Sequence, residues 1–109
     1  MAKVVFSPIA RQDAMEAVDY IGFKLQNKPS ARKLMDRIQK ALVTLGQFPE
    51  SGTPLTYPGI ASVYRYLMCG NYMMFYHISK ETVYIDRVLY GRRDYLSILF
   101  GEEISEDNE

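Results

Sequence analysis

The sequence contains one cysteine, one histidine and no tryptophan among its 109 residues. The single cysteine, Cys69, excludes an internal disulfide framework and fits a reducing compartment. One histidine and one cysteine cannot close a metal site, and the isolated glycines Gly59 and Gly70 do not make a phosphate-binding loop. We therefore expect neither a metal nor a cofactor.

Long apolar runs are also absent. No stretch approaches the roughly 20 apolar residues that a membrane-spanning helix needs. The apolar stretch near the N-terminus is far too short for a signal peptide. These absences predict a cytoplasmic protein that has no membrane partner.

The chain has no net charge, because 13 Lys and Arg balance 13 Asp and Glu. Five of the acids lie in residues 102–109, which contain no base, so residues 1–101 hold eight acids against 13 bases, a charge of +5. We predict one domain over residues 1–101, followed by an acidic, disordered, solubilising tail over 102–109. The alternative is that the tail shields a basic surface until a partner binds.

The N-terminal part of the sequence predicts a strand followed by a helix. Residues 3–6 (KVVF) are short and β-prone. Ser7 can cap a helix, and Pro8 is tolerated in its first turn. Apolar residues then recur at spacings of three and four as far as Leu25, which predicts a helix of about 17 residues.

A second helix is predicted after a break at residues 27–29, with Ser30 as its N-cap. Its apolar stripe runs from Ala31 to Leu45, and Gly46 is the predicted left-handed terminator. Two stripes joined by a short turn must face the same apolar surface, which indicates an antiparallel helical hairpin. The outer face of this hairpin is basic and carries Lys24, Lys28, Arg32, Lys33, Arg37 and Lys40.

The rest of the chain predicts a small sheet. Three prolines and two glycines in residues 48–59 indicate a loop. Aromatic and β-branched runs at 62–68, 72–78 and 82–90 predict three strands joined by tight hairpins, and residues 92–100 suit a short helix or an extended arm. The predicted class is α+β, with two layers in the order β-α-α-β-β-β. An antiparallel meander packs against the helical hairpin, and a short C-terminal segment follows.

Two arginines fall on predicted strands at positions of the buried type. Arg65 is in phase with Val63 and Leu67, and Arg87 is in phase with Val83, Ile85 and Leu89. Such arginines need a partner or an open edge. They form either structural ion pairs near the sheet rim or part of a binding surface. The candidate partners are Glu81, Asp86 and Asp94.

Two more arginines, Arg92 and Arg93, directly follow the last predicted strand. Adjacent guanidinium groups at a strand end can bind a phosphate, a carboxylate or an acidic partner segment, or they form a solvated basic turn. We expect Arg65, Arg87, Arg92 and Arg93 to cluster where the last strand ends and to form a binding surface.

The histidine and the tyrosines have mainly structural interpretations. His77 alternates in phase with Met73 and Phe75, so we interpret it as a structural strand residue rather than a catalytic base. Tyrosines pack well on a half-exposed sheet, although beside arginines they can also stack on nucleic-acid bases. Seven of them lie between residues 64 and 95: Tyr64, Tyr66, Tyr72, Tyr76, Tyr84, Tyr90 and Tyr95.

The stretch from residue 63 to residue 100 resembles the C-terminal half of the RelE/ParE toxins of type II toxin–antitoxin systems. The features that carry the resemblance are Arg65, Gly70 and Tyr72 in a Gly-x-Tyr pattern, Tyr76, and residues 87–94 (RVLYGRRD). Residues 4–21 also resemble the first strand and helix of the family. The resemblance therefore covers residues 3–100.

The resemblance implies one of two targets. RelE-like members are ribosome-dependent mRNA endoribonucleases, and ParE-like members inhibit DNA gyrase. RelE-like members have an arginine where this chain has Met73, and lysines where it has Tyr64 and Tyr66. Their C-terminal acid falls near Leu99, and only Arg93 matches a residue expected to stabilise the cleaved phosphate. The end of the last strand resembles ParE-like members more closely.

We therefore favour a toxin that inhibits DNA gyrase by binding, which needs an interaction surface and no acid–base set. The alternative is an mRNA endoribonuclease that acts on the ribosome, in which Arg93 holds the phosphate and Tyr95 acts as the acid. A third hypothesis is a non-toxic relic that only binds its antitoxin.

The resemblance also implies a cognate antitoxin that covers the basic sheet end and the helical hairpin. That partner should be acidic where it meets Arg87, Arg92 and Arg93. The oligomeric state stays open between a homodimer and a heterotetramer with the antitoxin.

Overall fold

A computed structural model of the chain describes residues 1–56 and 62–101. The tail predicted over residues 102–109 lies outside the described residues, as do residues 57–61. The elements follow in the order β1 (Lys3–Phe6), α1 (Pro8–Asp19), a π-helical turn (Tyr20–Lys24), α2 (Lys28–Gln47), β2 (Thr53–Pro54), β3 (Arg65–Cys69), β4 (Tyr72–Ser79), β5 (Thr82–Tyr90) and α3 (Tyr95–Phe100). The predicted α+β class is confirmed.

The strands form one five-stranded sheet in the order β1-β5-β4-β3-β2. Strands β3, β4 and β5 form the predicted antiparallel meander, and β1 pairs in parallel with β5, with Val4 opposite Val83. The short strand β2 lies in the segment predicted as a loop, and its Thr53 pairs with Tyr66 of β3 at the sheet edge. A two-residue strand has no periodicity to detect, and Pro54 is tolerated there because an edge strand is unpaired on one side.

The first helix begins as predicted and ends differently. The Ser7 hydroxyl accepts a hydrogen bond from the amide of Ala10 at 3.1 Å and caps α1. The predicted span of about 17 residues is divided between α1 and the π-helical turn, in which the amide of Leu25 donates to the carbonyl of Tyr20. A π-helical turn shifts the side chains by one position, which the helical period of the sequence does not reveal.

The second helix begins earlier and ends later than predicted. Its N-cap is Asn27, whose Oδ1 accepts from the amide of Ser30 at 3.1 Å, so the prediction of Ser30 as the cap is wrong. Pro29 lies in the first turn and starts the helix rather than breaking it. Gly46 is buried inside α2, and its carbonyl accepts from the amide of Ala2 at 2.8 Å. The prediction of a left-handed terminator is wrong, because Gly46 does not have a positive φ and the helix continues to Gln47.

Each face of the sheet has its own apolar core. The helical hairpin covers the first face, where the buried side chains are Ala10, Ala14, Ala17, Leu34, Ile38, Ala41, Leu45, Cys69, Met74, Tyr76, Val83, Ile85 and Val88. Helix α3 covers part of the second face, where the buried side chains are Leu55, Met73, Phe75 and Leu89. No helix in the described residues is long and apolar enough to cross a bilayer.

A β-bulge in β5 changes which face the side chains occupy. Phe75 pairs with Arg87 and Tyr76 pairs with Ile85, which leaves Asp86 as the extra residue. Ile85 therefore belongs to the first core and Leu89 to the second. The prediction that Arg87 shares one phase with both is wrong, because it assumed a regular strand.

Candidate functional site

Arg87 forms a structural ion pair with Asp13 of α1. Its Nε donates to Oδ2 of Asp13 at 2.7 Å, and its Nη2 donates to Oδ1 at 3.0 Å. The amide of Val88 also donates to Asp13. The hydrogen bonds to Asp13 raise the pKa of Arg87. Asp13 thus attaches α1 to the part of β5 that extends beyond the pairing with β1.

Arg65 is also held by the fold, at the opposite edge of the sheet. Its Nη1 donates to the carbonyls of Glu50 at 3.1 Å and Gly52 at 2.9 Å. The buried Tyr76 binds the same loop, since its hydroxyl donates to the carbonyl of Pro49 and accepts from the amide of Gly52. Arg65 and Tyr76 together fix the loop that follows α2.

The three acids predicted as partners of these arginines have other neighbours, so that prediction is wrong. Asp86 contacts His77, and Asp94 caps α3 by accepting from the amide and the hydroxyl of Ser97. Glu81 is exposed in the turn between β4 and β5. Arg87 instead takes an acid 74 residues earlier in the chain, a separation that no local pattern indicates.

Arg92 and Arg93 are exposed in the turn between β5 and α3. The amide of Arg93 donates to the carbonyl of Tyr90 at 2.9 Å, and the amide of Gly91 donates to the carbonyl of Asn71 at 2.8 Å. These bonds hold the turn against the β3–β4 connection. The four predicted guanidinium groups therefore do not form one cluster, and only this adjacent pair remains exposed.

Tyr95, the predicted acid of the nuclease hypothesis, packs onto the second face of the sheet. Its ring centroid lies 5.2 Å from that of Phe75, and its amide donates to the carbonyl of Arg93 at 2.8 Å. The ring belongs to the second core. Arg93 and Tyr95 are thus neighbours in the chain with different surroundings, one exposed and one packed.

A histidine–aspartate pair lies outside the buried core that α3 covers, and both of its side chains remain partly exposed. Nδ1 of His77 lies 2.6 Å from Oδ2 of Asp86, and the two side chains are 32% and 25% exposed. The imidazole stacks on Tyr84 at a centroid distance of 5.2 Å and meets the edge of Tyr64 at 6.4 Å. An imidazole held at one nitrogen by a carboxylate has its other nitrogen oriented for proton exchange.

The electrostatics of this pair follow from partial burial. Burial raises the pKa of Asp86, and the hydrogen bond and charge of His77 oppose that rise. Burial and the nearby Asp86 both raise the pKa of Tyr64. The interpretation of His77 as a structural strand residue did not include its contact with Asp86. The tight β4–β5 hairpin was the available signal, because it places His77 beside Tyr84 and diagonal to Asp86.

Several solved structures share this fold, including the following two. One is described as the chromosomal ParDE TA system from P. aeruginosa, with a TM-score of 0.65 and 19% identity, covering 83% of this chain and 96% of that chain. The other is described as the YoeB dimer from Staphylococcus aureus, with a TM-score of 0.52 and 18% identity, covering 82% of this chain and 95% of that chain.

A helical hairpin on an antiparallel meander, with β1 added in parallel at the edge, defines the chain as a toxin of the RelE/ParE superfamily of type II toxin–antitoxin systems. More narrowly, the chain belongs to the ParE toxin family. Residues 4–95 match the family model described as ParE toxin of type II toxin-antitoxin system, parDE. No curated protein sequence matches the chain.

Proposed function

We propose that this toxin acts by binding DNA gyrase and that its cognate antitoxin neutralises it. Membership of the ParE family over residues 4–95 is the observation that carries the proposal. The surroundings of Arg93 and Tyr95 are consistent with it. One side chain is exposed in a turn and the other packs on Phe75, so the two do not form a preassembled acid and phosphate clamp.

The exposed pair Arg92 and Arg93 is the proposed point of contact with the target and with an acidic segment of the antitoxin. Arginines are frequent anchors in protein interfaces because a guanidinium group forms bidentate bonds to carboxylates. Arg65 and Arg87 contribute indirectly. Arg65 holds the loop after α2, and Arg87 holds helix α1. Both contacts stabilise the sheet from which the turn with Arg92 and Arg93 projects.

A gyrase supercoiling assay tests this proposal. Purified toxin is titrated into gyrase, relaxed plasmid and ATP, and we expect supercoiling to stop. A variant with Arg92→Gln and Arg93→Gln should need at least about tenfold more protein for half-inhibition, because two interface anchors are lost. A control variant with Lys24→Gln and Lys28→Gln removes the same charge from the helical hairpin and should inhibit normally. Normal supercoiling at toxin concentrations that arrest growth would contradict the proposal.

Cleavage of mRNA on the ribosome is the second candidate function, and the His77–Asp86 pair is the observation that favours it. Cleavage through a 2′-hydroxyl needs proton transfer, which an oriented imidazole can supply. In a translation extract, His77→Gln should then abolish cleavage, as should Arg93→Ala if Arg93 holds the phosphate. Intact messages in the presence of the unaltered toxin exclude this function. Cleavage unchanged by Arg93→Ala excludes the role of Arg93.

A further inference from the structure

Two basic side chains of α2 lie beside the β3–β4 turn at the end of the sheet. Lys33 and Arg37 lie one helical turn apart and therefore on the same side of α2. No carboxylate within the described ranges 1–56 and 62–101 lies within 4 Å of either side chain. Both line a recess of about 170 Å³ that separates α2 from the β3–β4 turn, together with Ser30, Asn71 and Tyr72. The apolar side chains of Ile21, Leu34 and Cys69 line it as well, so the two positive charges and the polar groups lie at a partly apolar recess.

Gly70 holds the guanidinium group of Arg37 at the wall of this recess. The glycine has φ +63°, a conformation that L side chains rarely adopt, and a Cβ at this position would lie 2.6 Å from Nη1 of Arg37. The missing side chain of Gly70 therefore leaves room for the guanidinium group of Arg37, which is itself exposed and lies against the turn.

Tyrosine rings lie at the rim of the same recess. The rings of Tyr72 and Tyr90 meet edge to face at a centroid distance of 5.5 Å. Burial raises the pKa of Tyr72, and the neighbouring phenols of Tyr90 and Tyr20 raise it further. Tyr20 is 48% exposed and Tyr90 is 40% exposed, so both offer ring surface to a ligand. The tyrosine cleft is defined here as Lys33, Arg37, Asn71 and Tyr72, with Tyr20 and Tyr90 at its rim.

We propose that the tyrosine cleft binds a single-stranded nucleic acid, with one backbone phosphate in the recess beside Lys33 and Arg37 and an unpaired base against Tyr90 or Tyr20. Cations that follow a backbone and aromatic rings that stack on bases are the usual means of binding single strands. An acidic peptide would use the cations and leave the exposed phenol rings without a role. The proposal goes beyond gyrase inhibition and does not depend on it, since the contact is with nucleic acid alone.

The adjacent turn extends the same surface. The hydrogen bond from the amide of Gly91 to the carbonyl of Asn71 places Arg92 and Arg93 next to the tyrosine cleft. A strand whose phosphate occupies the recess would therefore meet further guanidinium groups at the end of the sheet. The structure brings basic residues of α2 and of the β5–α3 turn together, although they are more than 50 residues apart in the chain.

Fluorescence anisotropy of a labelled 12-nucleotide single-stranded DNA of mixed sequence tests the proposal with the full-length toxin and no gyrase. We expect a dissociation constant on the order of micromolar at low salt, since few phosphates are contacted. Arg37→Gln should weaken binding by about tenfold and lower the salt slope by about 0.7, the value for one phosphate contact on a single strand. Tyr90→Leu should weaken binding severalfold and leave the salt slope unchanged, because stacking releases no counterions.

Arg32→Gln is the matched control. It removes the same charge from the neighbouring position of α2, which lines the groove between the two helices beside Phe23 and Met35. We expect unaltered binding by this variant. Equal weakening by Arg32→Gln and Arg37→Gln would overturn the proposal, as would tighter binding of a polyglutamate peptide than of the oligonucleotide. If circular dichroism shows that Arg37→Gln does not fold, Lys33→Gln decides the question by the same criteria. Because gyrase is absent, this result is independent of the supercoiling assay.

Discussion

The helical hairpin and α3 cover the two faces of the same sheet to very different extents. On the first face, helices of 12 and 20 residues bury side chains such as Leu45, Met74 and Ile85, which are all 0% exposed. On the second face, a helix of six residues covers Phe75 and Leu89, and each of its own side chains remains partly exposed. The hairpin is therefore integral to the fold, whereas α3 is a small addition to a sheet that is already formed.

The two faces also differ in the contacts that their polar side chains make. On the hairpin side, Arg87 is hydrogen-bonded to Asp13, and Arg65 donates to the loop carbonyls of Glu50 and Gly52. On the α3 side, the pair of His77 and Asp86 lies outside the buried core and remains partly exposed. Polar side chains that are not required to hydrogen-bond other buried groups of the fold are the better candidates for function.

The largest expected effect is on the free energy of unfolding, and it is measured with two separate variants that each shorten one leucine, one from each face of the sheet. Leu45→Ala should lower the free energy of unfolding by about 4 kcal/mol, because it leaves a cavity in the core beneath the hairpin. Leu99→Ala in α3 should cost about 1 kcal/mol, because that side chain is already partly in water. Urea denaturation followed by circular dichroism measures both values. Equal losses would mean that α3 is as integral to the fold as the hairpin.

An intermediate effect is expected at the contact between α1 and β5. Asp13→Leu should destabilise the fold by about 3 kcal/mol, because it leaves the partly buried guanidinium group of Arg87 without its acceptor. Arg87→Met should lower the free energy of unfolding by a similar amount, because it leaves the carboxylate of Asp13 without its donor. The double variant should lose clearly less than the sum of the two single variants, since neither unpaired charge then remains. Denaturant titrations of the four proteins measure the coupling, and strict additivity would show that the ion pair does not connect α1 to β5.

Much of the architecture could be predicted from the sequence because it depends on local periodicity. The aromatic and β-branched runs at 72–78 and 82–90 and the apolar stripe from Ala31 to Leu45 predict the meander and the second helix within a few residues. The cap at Ser7 is equally local, since its hydroxyl acts on the amide three residues ahead. These features need no knowledge of distant parts of the chain.

The candidate site was less predictable because long-range contacts define it. Arg65 and Arg87 have the residue type of a binding surface, and only the partners brought by tertiary packing show that they are held inside the fold. The π-helical turn and the bulge at Asp86 each shift the side chains by one position without a signal in the pattern. Arg37 belongs to a helical face predicted only as basic, and tertiary packing brings its guanidinium group beside Gly70.

The smallest expected effect concerns Asp86, and its sign runs against the usual expectation for an ion pair. Burial raises the pKa of Asp86 by more than His77 lowers it. The folded protein therefore binds this proton more tightly than the unfolded chain, and the contribution of Asp86 to stability decreases as pH rises from 3.8 through the raised value. Asp86→Asn removes the buried charge and keeps an oxygen that can accept from the imidazole.

Asp86→Asn should thus be as stable as the unaltered protein at pH 7, or more stable by up to about 1 kcal/mol, although the carboxylate that contacts His77 has been removed. The advantage of the variant should shrink as the pH is lowered through the titration of Asp86, since the carboxyl group of the unaltered protein then becomes neutral as well. Thermal unfolding between pH 3.5 and pH 8 measures this difference, with Glu81→Gln as a control for loss of an exposed acid in the adjoining turn. A variant that is least stable at neutral pH relative to the unaltered protein would show that the pair with His77 outweighs burial. This part of the sheet would then be stabilised by its own polar groups, as the hairpin side is.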